Sequence, residues 1–126
     1  MLTVALVLAG LAALVHVYIF WLETLAFDTA GRKAFGIPAT DAAVMKPWAY
    51  NQGFYNLFLA VGTAVGIAVE SSNRDAGIAL VLLATGSMLA AALVLVTSDP
   101  SKARGAVVQG TFPALGLLSL AVWAWA

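Results

Sequence analysis

Four apolar runs, each long enough to cross a lipid bilayer, constrain this chain more than any other feature. A spanning helix needs about 20 residues at 1.5 Å rise each, and the runs cover about residues 2–27, 48–69, 76–97 and 103–125. Of the 126 residues only 10% are charged, whereas a soluble domain carries roughly 25%. That is too little charge to cover a water-facing surface, so lipid must cover most of it. The first run has no basic start, is longer than a signal peptide and is interrupted by His16 and Glu23, so it is expected to stay as a span. The fold class that follows is all-α: an integral membrane up-down four-helix bundle, residues 1–126 forming a single domain.

The links order the helices. Glu70 to Asp75 and Ser98 to Ser101 are tight turns, which makes the second, third and fourth spans sequential antiparallel neighbours. Asp99 is placed to cap the fourth helix and Pro100 to sit in its first turn. The first link, Asp28 to Pro47, is longer. Its Arg32, Lys33, Phe35 and Ile37 suit a segment lying among lipid headgroups; Thr40-Asp41 reads as a helix start, and Pro47 bends the chain into the second span. Arg32, Lys33, Lys46, Lys102 and Arg104 fall on one side of the membrane and Arg74 alone on the other. Basic loops stay in the cytoplasm, so both termini are expected outside.

Small residues mark expected helix contacts: Ala5, Ala9 and Ala12 with His16 on the first helix, Gly62 with Gly66 on the second, Gly86 with Ala90 on the third. Packing within one chain is the simpler use of them; a homodimer seam is the other. With no cysteines and zero net charge, thiol chemistry and a general attraction to nucleic acid are both left out. The lipid bilayer is the expected surrounding.

Against this apolar background stands a polar set: His16, Glu23, Asn51, Gln52, Tyr55, Asn56 and Gln109. Side chains this polar are expensive against lipid, so they should face inward and bond one another. Counted from the ends of the runs at Phe27 and Trp48, His16 and Asn56 lie at one depth, roughly 12–16 Å below the inner interface. Glu23, Asn51 and Gln52 are shallower. His16 is expected to bond across to Gln52, Tyr55 or Asn56, and Glu23 to lie near Asn51 or Gln52. Pro113 frees the carbonyl of Gln109 as a further acceptor. His16 and Glu23 are separated by ~10.5 Å along the helix axis, too far for one ion, and no second His or Cys is present, so no metal site is expected. The residues point to no particular cofactor.

Three stretches carry a resemblance. His16-Val-Tyr-Ile-Phe-Trp-Leu-Glu23, Asn51-Gln-Gly-Phe-Tyr-Asn56 and Gln109-Gly-Thr-Phe-Pro113 resemble the bacterial family named domain of unknown function 1304. The resemblance implies a bacterial inner-membrane protein with four membrane helices, and it supplies no reaction. Small multidrug transporters share the helix count, but Glu23 lies near the membrane edge and the basic residues are too one-sided for dual topology. The leading expectation is an inward-opening polar pocket for a small, mostly apolar ligand, lipid- or quinone-like. The alternatives are a membrane-embedded isomerase or oxidoreductase using His16 and Glu23, and a structural or accessory subunit of a membrane complex whose polar groups only lock the helices.

Overall fold

The computed structural model describes residues 1–126 and contains no strand. Helix α1 runs Leu2–Glu23, a short α2 covers Arg32–Phe35, α3 runs Ala42–Glu70, α4 Arg74–Ser98 and α5 Ala103–Trp125. The four long helices are each long and apolar enough to cross a membrane. They form a square: α1 packs on α3 and α5, α4 packs on α3 and α5, and the diagonals barely touch. The all-α, four-helix bundle of membrane type is the fold of this chain.

The end of α1 and the continuity of α3 through Pro47 differ from those expected, while α3 starts where Thr40-Asp41 predicts. Helix α1 stops at Glu23 instead of reaching Phe27. There the Thr24 hydroxyl bonds back to the Phe20 carbonyl at 2.6 Å, and the chain turns through a π-helical loop at Phe27–Gly31. Gly36, with φ of 65°, ends α2 in the left-handed conformation that favours glycine. Helix α3 begins at Ala42 just after Thr40-Asp41, and Pro47 lies inside it. The amide of Met45, two residues before Pro47, already bonds the Asp41 carbonyl, so the proline leaves the Ala43 carbonyl without its amide donor. With 29 residues, α3 is ~43 Å long. That exceeds the roughly 30 Å hydrocarbon layer, so α3 is longer than an upright span requires.

The two short links form as expected. Asn73 caps α4 by accepting from the Ala76 amide at 3.1 Å, and Arg74 pairs with Glu70 across the same turn. Asp99 accepts from both the hydroxyl and the amide of Ser101, ahead of a single 3-10 turn at Pro100–Lys102. The Ser101 hydroxyl bond holds the Asp99 carboxyl below its ordinary pKa against the opposing effect of desolvation, with smaller help from the Ser101 amide and from Lys102.

The interior is built from small side chains. Ala5, Ala9, Ala12 and His16 are all buried along one face of α1, and Gly66 lies against Gly77, Leu80 and Val81 of α4. Thr63 and Thr85, both buried, satisfy their hydroxyls on carbonyls of their own helices, Leu59 and Val81. Gly86 departs from expectation: nothing lies within 4 Å of the position a β-carbon would take there, and Ala90 is exposed. This pair faces away from the bundle.

Candidate functional site

The chain's polar side chains meet across α1 and α3 at one point. The Asn56 amide Nδ2 donates to Glu23 Oε2 at 2.7 Å and also to the backbone carbonyl of Gln52 at 3.2 Å. Gly53 makes this contact possible. A β-carbon there would stand 2.7 Å from Thr24 Cγ2 and 3.1 Å from Glu23 Cβ, so any larger residue would push the helices apart just where the carboxylate and the carboxamide meet. Asn56 is buried and Glu23 half-buried. Glu23 Oε1 and Asn56 Oδ1 take no protein hydrogen bond.

His16 does not join this pair. Its Nδ1 bonds the Ala12 carbonyl of its own helix at 2.9 Å, and the expected bond to Gln52, Tyr55 or Asn56 is not made. With Nδ1–H committed to that carbonyl, Nε2 is the acceptor of the neutral ring. The reason is register. Gly53 faces Glu23 and Thr24, while Gly10 faces Ile67, so Asn56 lies near the level of Glu23. His16 is about two turns deeper, level with the stretch around Ala60 and Val61. Alignment of Phe27 with Trp48 comes close to this register; the wrong pairing comes from treating depths of roughly 12 and 16 Å as one level.

The other side chains of the polar set do not bond to the pair. Asn51, Gln52 and Tyr55 are exposed on α3, and Gln109 is half-buried on α5, where Gly116 faces Ala5 and Ala9, so Gln109 lies nearer the level of His16 than of Glu23. The Gln52 carboxamide, the Tyr55 hydroxyl and the Gln109 side chain are not engaged in protein hydrogen bonds. Around the level of the pair runs an aromatic group. Phe20 meets Phe54 edge-on at 5.3 Å, Phe54 meets Tyr50 and Phe58, and Tyr18 stacks on Trp21. Aromatic side chains gather where apolar body and polar tip meet the two sides of a membrane interface.

Two concavities flank this end. An apolar groove of about 280 Å³ runs between α1 and α3, lined by Gly10, Ala13, Val17, Leu57, Ala60 and Ala64 among others. A second, of about 410 Å³, lies in the α1–α3 loop between Asp28 and Pro38. Neither is lined by His16, Glu23 or Asn56.

The model of the family described as protein of unknown function DUF1304 matches residues 10–121. The chain belongs to the DUF1304 family. No curated protein and no solved structure matches it. The DUF1304 match takes in every member of the polar set, from His16 to Gln109, and both flanking concavities. Two features of this end escaped the reading of the sequence. One is the role of Gly53, whose signal was a glycine in the middle of a carboxamide motif. The other is the ion pair between Asp28 and Lys46, which join only because the loop folds back.

Proposed function

We propose that the Glu23–Asn56 end of the bundle binds a small, mostly apolar molecule with a hydroxyl or carbonyl head, lipid- or quinone-like, entering from the cytoplasmic side of a bacterial inner membrane. One observation carries this reading: a carboxylate at the end of one span-length helix and a carboxamide of the next are held together at 2.7 Å, yet each keeps an oxygen free. Burying such groups in a span is costly, and bonding one another uses only part of their capacity. A hydroxyl head would donate to Glu23 Oε1 or Asn56 Oδ1. A carbonyl head would accept from Gln52 or Tyr55, whose donors are unengaged on the exposed side of α3. Asn51 would lie at the rim, and His16 and Gln109 would be approached only by a ligand reaching about two turns deeper. The apolar groove between α1 and α3 offers a bed for the tail. Cytoplasmic entry, with both termini outside, rests on the one-sided basic loops.

A structural lock is the competing reading. It is favoured by the seating of Gly53, which brings α1 and α3 together whether or not anything binds. Native mass spectrometry of gently solubilised protein separates the two. A molecule retained by the wild type should be lost from Glu23→Gln and Asn56→Leu while both variants keep their helical circular dichroism. If nothing beyond bulk phospholipid is retained and the variants differ only in thermal stability, the pair is a lock.

A further inference from the structure

The concavity in the α1–α3 loop is separate from the Glu23–Asn56 site and is built from different chemistry. It is shallow and open, about 410 Å³ in volume, and is lined by Asp28, Thr29, Arg32, Lys33, Gly36, Ile37 and Pro38. Clefts that hold small ligands begin at roughly 300 Å³. Two cations line it. Arg32 spends only its Nε, in a long 3.5 Å contact with the Ile37 carbonyl, which leaves the terminal guanidinium nitrogens free. The Lys33 ammonium makes no ion pair. The one carboxylate in the lining, Asp28, is neutralised by Lys46 of α3. The Thr29 hydroxyl donates to the Ala26 carbonyl, so it can only accept. The chemistry left facing the cleft is cationic and hydrogen-bond donating.

The cleft is also held in place. Asp28 is tied to α3 through Lys46, and Lys102, at the start of α5, donates to the Phe35 carbonyl at 2.8 Å. These clasps fix both ends of the loop against the bundle. Its position follows from α1, which ends at Glu23 just before it. Around it Leu25 is 77% and Trp48 76% exposed, which suits contact with acyl chains and headgroups more than with water. An arginine fork is well shaped for phosphate oxygens, and a neighbouring lysine adds a point charge.

We propose that this loop is a binding site for the phosphate of an anionic phospholipid headgroup in the adjacent leaflet. The test uses the full-length protein, delipidated in mild detergent and titrated with phosphatidylglycerol, phosphatidylcholine or inorganic phosphate, with bound species read by native mass spectrometry. Phosphatidylglycerol should be retained about tenfold over phosphatidylcholine, the scale of one charge-assisted hydrogen bond. Arg32→Gln combined with Lys33→Gln should remove that preference. Lys33→Gln alone, which breaks no protein contact, should reduce it. Arg104→Gln, which removes the same charge outside the cleft, should leave it intact. Equal loss with Arg104→Gln would mean a general charge attraction and would overturn the site. Full displacement of the lipid by inorganic phosphate would assign the cleft to a soluble anion and overturn the lipid assignment.

Discussion

At Gly53 the missing side chain matters more than any side chain present nearby. A methyl group there would stand 2.7 Å from Thr24 Cγ2, well inside contact distance. We expect Gly53→Ala to destabilise the protein by about 1–3 kcal/mol, the usual range for overpacking, as read from thermal unfolding in detergent. Asn56→Leu should cost less, about 1 kcal/mol, because hydrogen bonds between membrane helices are individually weak. If the alanine variant melts with the wild type, the close approach of α1 and α3 is not what Gly53 provides. His16 teaches a related lesson. Its burial was legible from its place on the face of Ala5, Ala9 and Ala12, but its partner was not. An imidazole can satisfy itself on its own helix four residues back, as it does on Ala12, and nothing in the sequence distinguishes that choice from a bond across the bundle.

At the scale of helices, glycines on the same element have opposite consequences. In α4, a β-carbon on Gly77 would fall 2.5 Å from the Glu70 backbone, whereas one on Gly86 would meet nothing. Gly77→Ala should therefore separate the linked ends of α3 and α4 and lower the melting temperature clearly. Gly86→Ala should be neutral or stabilising by about 0.5–1 kcal/mol through helix propensity. Equal effects of the two substitutions would contradict the observed packing. The number, order and apolar length of the helices were legible because a bilayer imposes length and composition directly. The end of α1 at Glu23 was not, since hydropathy marks where lipid-compatible residues stop and not where hydrogen-bonded turns stop. Taking depths of roughly 12 and 16 Å as one level paired Asn56 with His16, when Asn56 bonds Glu23. The facing of Gly86 was equally hidden, because a small residue suits a helix contact and a lipid-facing surface alike.

For the molecule as a whole, charge and polarity are concentrated at one end of the bundle. The basic loops, the carboxylate–carboxamide pair and most of the aromatic side chains share it, while the link between α3 and α4 carries only Arg74 as a cation. The chain has no cysteine of its own, so single cysteines report topology cleanly. A cysteine at Ala34 should be protected from an impermeant thiol reagent in intact cells and one at Ser72 labelled; the reverse would turn the polar end outward. The claim that this end receives a ligand is tested most directly by photocrosslinking. Benzoylphenylalanine at Gln52, exposed beside the Glu23–Asn56 pair, should capture in cells a small molecule of one defined mass. The same probe at Leu83, on the open face of α4, should capture only mixed phospholipid, and Asn56→Leu should abolish the defined adduct at Gln52. Identical phospholipid mixtures at both positions, unchanged by Asn56→Leu, would contradict a ligand site at the polar end of the bundle.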